Sequence, residues 1–546
     1  MVKNKKLSIV YVGVVLLFLT IPFGYFYLNY YHKTIFDNSA FTYLLIVTLS
    51  ILFALFMSKR FIKNVRGDIK EAFFRLFIIA ISIYASFLFL MTISNYNRMV
   101  SQSIDVQYYH TELWKLSAFQ IPSYEWSQHF EPILFFLAPL YWVVKIAGIL
   151  MLLQVLIFIS GVIPLYLTVK KHIHSRFIGL SLAFAYLAFG GTQFGIAYGF
   201  HPIMFFPTIF MWMYYFYCEK RIKLYLLFVL LSLFVKEEVA FIMLFWGVYL
   251  LFIKRDRMLG AATVVFGLIW YIVCFKIIFP IYAGGGGFGY WGQYNQTQGV
   301  GIIGLSKFVI LQPLDFLKTL VTPSFKIDTF FQSFGSFGFL LFLFPQSFII
   351  VLPSLLEKLL SNNIAAMNGT HYSAALTGVT LVATIETLSS ISKNKYLLKY
   401  VVNINIFLGI LIFYMALFFN MLYGYYAFSL MPTVHRTGYV VGNAVIDPSE
   451  ENLTLLSHII DTIPEQASIA AQDQIIPHIH KHFTLIRDIP NNNENSDYVL
   501  VDTQLPPPVL KDTRLLNQYL EGLDKNKKYQ LIFNNLGIAL FKKITQ

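Results

Sequence analysis

The chain has 546 residues, of which 57% are hydrophobic and only 13% are charged. Soluble domains carry about 25% charged residues, so this composition excludes an ordinary water-soluble protein. The formal net charge of +13 comes from Lys and Arg that fall mostly in short segments between apolar runs, which favours membrane orientation over nucleic-acid binding. The two cysteines, Cys218 and Cys274, lie inside apolar runs and predict neither a disulfide framework nor a cysteine metal site.

The apolar runs predict about thirteen membrane-spanning helices. The first follows Lys3, Lys5 and Lys6 and is too long for the apolar core of a signal peptide, so we expect a retained span with a cytoplasmic N-terminus. The predicted spans cover residues 7–30, 41–57, 76–93, 146–169, 177–194, 203–218, 224–235, 239–253, 259–279, 334–344, 348–356, 374–388 and 401–422.

Lysine and arginine orient these spans, because cytoplasmic loops carry an excess of both. Residues 59–75 hold six of them and give the strongest cytoplasmic mark in the chain. The loops 94–131 and 280–332 are then predicted to lie outside the cytoplasm. Residues 132–144 are apolar but short and contain proline, so we expect them to lie at the membrane interface.

The composition changes after about residue 440, where charges return and apolar runs shorten to strand length. We therefore divide the chain into a membrane domain, residues 1–440, and a small extracytoplasmic α/β domain, residues 441–546. The expected order is a helix over 450–461, strands over 468–471, 483–486 and 498–502, a helix over 513–523, and a strand over 531–541.

Ionisable groups in or beside a membrane domain cost free energy, so those that are present usually have a function. Four such places all fall on the extracytoplasmic side in this topology. The loop 94–131 combines Trp114 and Trp126 with six acidic or histidine residues. The four places contribute Asp105, His110, Glu112, Glu125, His129 and Glu131 from this loop, His201 from a Gly-Phe-His-Pro segment, Lys236, Glu237 and Glu238 between two short spans, and His371 with Tyr372 before an inward span.

Each of these places also has a purely structural interpretation. Single acids in the loop can be solvated, His201 can cap a helix, the three charges at 236–238 can pair in a surface turn, and Tyr372 can belong to an interfacial aromatic belt. His478, His480 and His482 suggest a metal, but no carboxylate or cysteine accompanies them, so an ordinary surface segment is favoured. The run Gly284–Gly287 lacks the Lys-Ser/Thr of a phosphate loop and is interpreted as a flexible loop.

Several short motifs are similar in order and spacing to those of a known family. They are HFEPILFFLAPLY, GFHP, LFVKEEVA and HYSAAL in the membrane part, and IPEQASIAAQDQIIPH and DYVLVD in the C-terminal part. From about Asp105 onward the chain resembles the bacterial membrane-protein family called domain of unknown function 2079, which is grouped with the GT-C glycosyltransferases.

The resemblance implies a GT-C-like helical membrane fold and transfer of a sugar from a polyprenyl-phosphate carrier outside the cytoplasm. It implies catalytic roles for Asp105, as the acid of the outer loop, and for Glu237 and Glu238, which match a Lys-Glu-Asp pattern with Glu at the last position. This chain has His110-Thr111 where the family has Asp-Gln, so no second loop acid is carried over.

A carboxylate beside an acceptor hydroxyl can remove its proton and stabilise positive charge at the sugar carbon. The leaving lipid phosphate needs cationic partners or a divalent cation, and substrate contacts are expected from His129, Lys236, Tyr372, His201 and His371. A lipid or solute transporter, and a non-catalytic membrane scaffold, remain the alternatives. Membrane lipids are expected partners in every case, and nucleic acid is not.

Overall fold

A computed structural model describes most of the chain after its first predicted span. The described residues are 47–56, 67–97, 103–285, 287–294, 301–323, 325–362, 371–391, 404–424, 449–472, 474–479, 485–488, 496–505, 513–525 and 528–544. The predicted span 7–30 and the predicted domain boundary at residue 440 lie outside them.

Most of the described chain before residue 424 is α-helical, as the long apolar runs predict. The helices are α1 (Val47–Phe56), α2 (Gly67–Asn97), α3 (Ser103–Ser117), α4 (Ser123–Gln128), α5 (Gly148–Ser160), α6 (Val162–His172), α7 (Arg176–Ala188), α8 (Gly190–Tyr198), α9 (Phe206–Cys218), α10 (Ile222–Leu233), α11 (Val239–Tyr249), α12 (Arg257–Ile272), α13 (Phe279–Tyr282), α14 (Gly301–Leu311), α15 (Pro313–Val321), α16 (Phe325–Gly335), α17 (Leu352–Leu360), α18 (Ser373–Ile391) and α19 (Ile404–Tyr423).

Shorter helical segments connect or extend them. The 3₁₀ segments are Pro132–Phe136, Ala138–Trp142, Pro202–Phe205, Gly289–Tyr294, Leu340–Leu343 and Pro345–Ile350, and π-helical turns extend α11 over Leu250–Lys254 and α12 over Val273–Ile278.

Four described helical stretches are long and apolar enough to cross a membrane. They are Phe77–Asn97 within α2, Gly148–His172 (α5 with α6), Arg257–Tyr282 (α12, its π-helical turn and α13) and Ser373–Ile391, which is α18. A fifth span is formed if α7 and α8, which meet at a bend of 46°, count as one. The expectation of thirteen spans is therefore not confirmed within the described residues. The reason is that several predicted spans form helices of only 10–17 residues.

The helical part is held together by a continuous apolar core. The closest helix pairs are α11 with α12, α7 with α19, and α9 with α10 and α18. Trp246 of α11 is fully buried in this core, and its indole N–H donates to Tyr225 Oη at 3.1 Å. A buried Trp needs such a partner, because an unpaired N–H in an apolar core is costly.

Two parts of the membrane domain differ from expectation. The predicted spans 334–344 and 348–356 form mainly two short 3₁₀ segments and the start of α17, which are too short to cross a bilayer. The two segments predicted as outer loops contain helices: 94–131 holds α3 and α4, and 280–332 holds α14, α15 and most of α16.

The C-terminal part forms a five-stranded sheet with two helices, α20 (Glu450–Thr462) and α21 (Thr513–Lys525). The strands are β1 (Ser468–Ala471), β2 (Leu485–Asp488), β3 (Tyr498–Asp502), β4 (Tyr529–Asn535) and β5 (Ile538–Lys543), in the order β2-β1-β3-β5-β4. The first three strands are parallel and the last two antiparallel. All five residues of β3 are buried, because apolar clusters cover both faces of the sheet.

The single strand predicted over 531–541 is a hairpin. Asn535 pairs with Ile538, which leaves Leu536 and Gly537 as a two-residue turn with φ of 49° and 84°. Two consecutive positive φ values fit a type I′ turn, which matches the twist of the strands it joins. The prediction merged β4 and β5 because it gave no weight to Asn534, Asn535 and Gly537, which favour a turn within this otherwise apolar run.

The C-terminal part docks on the helical part through the segment after β1. The Tyr96 ring stacks on the His478 ring with centroids 4.3 Å apart, and Tyr96 Oη donates to the Pro477 carbonyl at 3.2 Å. The 3₁₀ turn Ile476–His478 also contacts α3, the helix that carries Asp105. The C-terminal sheet and the candidate site therefore share one end of the molecule. His480 and His482 lie outside the described residues.

Candidate functional site

Asp105 lies in the first turn of α3, where a carboxylate is stabilised by the helix dipole. Its Oδ2 is 3.1 Å from His201 Nε2, so the two side chains share a hydrogen bond across 96 residues of sequence. The Asp105 side chain is 36% exposed while that of His201 is only 3% exposed. The pair thus presents an accessible carboxylate backed by a buried imidazole.

The His201 ring stacks on the His371 ring at a centroid distance of 3.5 Å and an interplanar angle of 17°. The His371 ring stacks in turn on that of Tyr372, at 4.3 Å. Burial lowers the pKa of His201 and lowers that of His371 well below its usual value, with the nearby Lys236 acting in the same direction on both. Both imidazoles are therefore neutral at physiological pH, as such a close stack requires.

The backbone around His201 is fixed by Gln154 of α5. Gln154 Oε1 accepts from the His201 amide at 2.6 Å, and Gln154 Nε2 donates to the Gly199 carbonyl at 2.7 Å. Gly199 adopts φ of 153°, a conformation that disfavours any side chain. This glycine and the buried glutamine explain why the Gly-Phe-His-Pro segment presents its histidine inward.

Lys236, fully buried between α10 and α11, forms an ion pair with Glu238 at 3.2 Å. Its Nζ also lies 5.7 Å from the centroid of the Tyr372 ring, within range of a cation–π contact. Burial alone would lower the pKa of Lys236, but the carboxylates of Glu238, Glu237 and Glu131 raise it well above its usual value. Lys236 is therefore a permanent cation beside the two histidines.

Glu237 is engaged by a second set of contacts. One oxygen is 2.8 Å from His129 Nδ1, and the other accepts from the Phe130 amide at 3.2 Å. His129 stacks on Tyr290 of the second outer loop, with ring centroids 4.7 Å apart. Burial would raise the pKa of Glu237, but His129 and Lys236 hold it below its usual value. Glu237, buried and charged, therefore fixes His129 of the segment 94–131, which in turn contacts Tyr290 of the segment 280–332.

The other acids of the first outer loop have structural partners. Glu125 accepts two hydrogen bonds from Lys115, at 2.6 and 2.8 Å, and Glu112 accepts from the Trp126 indole at 3.0 Å. Glu131 accepts from Tyr109 Oη at 3.2 Å. Burial and the charge of Glu125 raise the pKa of Glu112 to about 8, and burial raises that of Glu131 well above its usual value. Glu112 and Glu131 are therefore mostly protonated at neutral pH. His110 also has a structural partner, since its Nδ1 lies 2.9 Å from Tyr141 Oη in a hydrogen bond.

Three residues of this region were not predicted from the sequence. Glu357 of α17 is half-buried near Glu238 and Lys236, and loss of solvent together with the charge of Glu238 raises its pKa well above the usual value. Its neighbour Lys358 donates to Ser373 Oγ at 2.9 Å. Tyr290 was passed over inside a Gly- and aromatic-rich loop. A lone Glu-Lys in an apolar helix was the only signal for the first two.

Asp105, His201 and His371 could together hold a divalent cation. Each offers one ligand atom, and these atoms lie within 4.8 Å of one another. Two neutral imidazoles and one carboxylate suit Zn²⁺ and other first-row divalent metals. A cation here would replace the proton that Asp105 Oδ2 and His201 Nε2 now share, because both atoms would become its ligands.

Among solved structures, the chain is similar to ArnT from Cupriavidus metallidurans bound to undecaprenyl phosphate. The TM-score is 0.46 at 10% sequence identity, and the match covers 86% of this chain and 98% of that chain. A likeness this distant supports no conclusion about activity. No curated protein sequence matches the chain significantly.

The family model of the DUF2079 predicted membrane proteins matches residues 117–540. The match includes His129, the Gly-Phe-His-Pro segment, Lys236–Glu238, His371 and the C-terminal sheet, and it begins twelve residues after Asp105. It extends over far more than half of the chain, and the apolar helices agree with a membrane location. The protein therefore belongs to the DUF2079 family of predicted membrane proteins.

Proposed function

We propose that the protein is a membrane glycosyltransferase that moves a sugar from a polyprenyl-phosphate donor to a hydroxyl acceptor. The observation that carries the proposal is the accessible Asp105 carboxylate held 3.1 Å from the buried His201, with a buried cation, Lys236, nearby. A base for the acceptor and a positive group for the departing phosphate are the two requirements of this reaction.

In the proposed step, Asp105 removes the proton of the acceptor hydroxyl. The acceptor oxygen forms a bond to the anomeric carbon of the sugar while the bond from that carbon to the phosphate oxygen breaks. The polyprenyl phosphate leaves with the electron pair, and Lys236 stabilises its negative charge. When no cation is bound, the neutral His201 donates to Asp105 and so orients the carboxylate.

A divalent cation held by Asp105, His201 and His371 would supply Lewis-acid stabilisation of a phosphate oxygen. Side chains of the chain itself are proposed to make the contacts with the sugar. His129 stacks on Tyr290 and holds it in place, so that the other face of Tyr290 can stack on a sugar ring. Tyr372 lies against His371 and Lys236, and its hydroxyl is the group proposed to contact substrate.

Glu237 and Glu238, for which the resemblance implies catalytic roles, are proposed here as positioning residues. Each oxygen of Glu237 is already in a hydrogen bond, one with His129 and one with the Phe130 amide, and the side chain is only 1% exposed, which leaves little room for an acceptor hydroxyl. Glu238 is paired with Lys236 and fixes the cation that faces the phosphate.

The test is transfer of labelled sugar from polyprenyl-phosphate donors by the purified full-length chain in nanodiscs. Asp105→Asn keeps size and hydrogen bonding but removes the base, so we expect transfer to fall about 10²- to 10⁴-fold. Asp315→Asn, on the exposed surface of α15, is the matched control and should behave like the wild type.

Wild-type transfer by the Asp105→Asn variant would remove Asp105 from the chemistry. Absence of transfer by the wild type, over a panel of donors and acceptors, would favour the transporter or scaffold alternatives. A transporter would use Asp105 to bind or gate, and transport would then survive in part in the asparagine variant.

A further inference from the structure

A cavity of about 420 Å³ opens at the end of the helical part opposite Asp105. Glu386, in its wall, lies thirteen residues after Ser373 on α18, which places it roughly 20 Å along the helix from the His371 end. The cavity lies among the ends of several helices, and its wall includes His172 of α6, Tyr217 of α9 and Met258 of α12. No step of the proposed reaction uses these residues.

A partly buried ion pair lines the cavity. Lys254 Nζ lies 2.5 Å from Glu386 Oε2, and Tyr214 Oη donates to Glu386 Oε1 at 2.9 Å. The Glu386 side chain is 4% exposed, whereas that of Lys254 is 33% exposed. Both glutamate oxygens are thus occupied, and the remaining N–H groups of Lys254 are left for the cavity. Ionisable groups at this position in a membrane protein indicate a ligand or an ion pathway.

Apart from His172, the remaining ionisable side chains of the wall that carry a charge at neutral pH are Lys220 and Asp256. Asp256 accepts from the Leu259 amide at 3.1 Å and caps α12, so one of its oxygens is already used. Lys220 is exposed and takes part in no ion pair among the described residues. Lys254 and Lys220 both line the cavity and have N–H groups beyond those used in ion pairs, and such charged donors suit the oxygens of an anion.

Apolar side chains border the same opening. Met258 is 62% exposed and Ile222 is 42% exposed, and both line the cavity with Leu259. A small free anion would gain nothing from them, whereas an amphiphile would bury them. Basic pockets between the ends of membrane helices are known binding sites for lipid head groups.

We infer that this cavity binds a membrane phospholipid, with its phosphate facing Lys254 and Lys220 and an acyl chain lying along Met258 and Ile222. This inference is independent of the sugar-transfer proposal, because it concerns the other end of the helices. The ion pair with Glu386 holds Lys254 in place, so that the ammonium is oriented before the lipid arrives.

The test is native mass spectrometry of the delipidated full-length chain with added lipid. Phosphatidylglycerol should bind at least about tenfold more tightly than diacylglycerol, which has the same chains but no phosphate. Lys220→Gln should weaken phosphatidylglycerol binding about tenfold, as expected for loss of one charge-assisted hydrogen bond. Lys223→Gln, on the same end but outside the cavity wall, is the control and should not change binding.

Lys254→Gln alone would leave Glu386 buried without its cation, so the double variant Lys254→Gln/Glu386→Gln is used as well. The two amides can still hydrogen-bond, and we expect weaker phosphatidylglycerol binding with a folded protein. Equal binding of diacylglycerol would show a purely apolar surface. Competition by inorganic phosphate at equal concentration would show a free-anion site. Either result, or lysine variants that match Lys223→Gln, would overturn the inference.

Discussion

His201 and His371 are buried imidazoles, and burial lowers the pKa of both below the usual histidine value of 6.5. Below pH 6.5 these two histidines are protonated in the unfolded chain but remain neutral in the folded chain until the pH falls further. The contribution of each histidine to stability is therefore present at higher pH and is lost as the pH falls. Glu112 and Glu131, whose pKa values are raised, act in the opposite sense over the same range.

We therefore predict how the pH dependence of the thermal midpoint differs between variants, and not its absolute value for the wild type. His371→Gln removes one buried titrating group, so its thermal midpoint should fall less than that of the wild type between pH 7.5 and 5.5. Thermal denaturation in detergent measures this. His458→Gln, on the exposed face of α20, should leave the wild-type slope unchanged. An identical slope for wild type and His371→Gln would show that His371 takes up its proton in the folded state.

We also predict that the purified chain binds one divalent cation at Asp105, His201 and His371. His371→Ala should weaken Zn²⁺ binding at least about tenfold, because it removes one of three protein ligands. Binding should also weaken as the pH falls, because protons compete for both imidazoles. Calorimetric titration with the metal alone measures both effects. Equal metal affinity for wild type, His371→Ala and the surface control His458→Ala would rule the site out.

The sequence brought His201, Lys236 and His371 to attention because each is polar at the end of an apolar run, and Asp105 because the family resemblance implies that it is the loop acid. It could not indicate how they meet, because the stacking of His201 on His371 depends on how α8, α9 and α18 pack. Tyr290 was missed for a related reason. One tyrosine among 35 carries no signal until its ring is found against His129.

At the scale of elements, α8 packs against the residues just before α18 through a glycine. A Cβ atom built on Gly195 would lie 2.8 Å from Met204 Sδ and 3.1 Å from His371 Cα. The methionine can move aside, but the histidine backbone is held between two ring stacks. The absence of a side chain at position 195 therefore helps to set the position of His371.

We predict that Gly195→Ala lowers the free energy of unfolding by about 1–2 kcal/mol, since overpacking outweighs the gain in helix propensity. Metal affinity and sugar transfer should fall with it, because His371 is displaced. Denaturation and titration of the purified variant measure these effects. Gly292→Ala, where a Cβ would meet open space, is the control. A Gly195→Ala protein as stable as the control would show that the contact relaxes freely.

Elements were predictable where one strong pattern governs them. The 498–502 strand and the helix from residue 450 follow from short apolar runs and from Ser449, which caps α20 by accepting from the Asn452 amide. The hairpin at Leu536–Gly537 was not predicted because its turn is only two residues long and lies in a run that is apolar apart from Asn534, Asn535 and Gly537. The residues 334–356 were taken for spans because apolar 3₁₀ segments and membrane helices have the same composition.

At the scale of the whole molecule, the C-terminal sheet lies against the end of the helical part that carries Asp105. The contact combines the Tyr96–His478 stack with the packing of Ile476–His478 on α3. The inferred lipid cavity lies at the other end of the helices. If the helices cross a bilayer, the sheet and the candidate site face one compartment and the cavity faces the opposite one.

The last prediction follows from this arrangement and from the distribution of Lys and Arg, which indicates that the Asp105 end is extracytoplasmic. In a background in which Cys218 and Cys274 are replaced by serine and alanine, single cysteines are introduced at three exposed positions: Ser123 of α4, Gly522 of α21 and Lys223 of α10. A membrane-impermeant maleimide added to intact cells should label Ser123→Cys and Gly522→Cys but not Lys223→Cys, and inverted vesicles should give the reverse. Labelling of Ser123→Cys and Gly522→Cys from opposite sides would contradict the docking of the sheet beside Asp105. Labelling of both from the cytoplasm alone would preserve that docking but place the site inside the cell, and a donor carried on the outer leaflet would then be excluded.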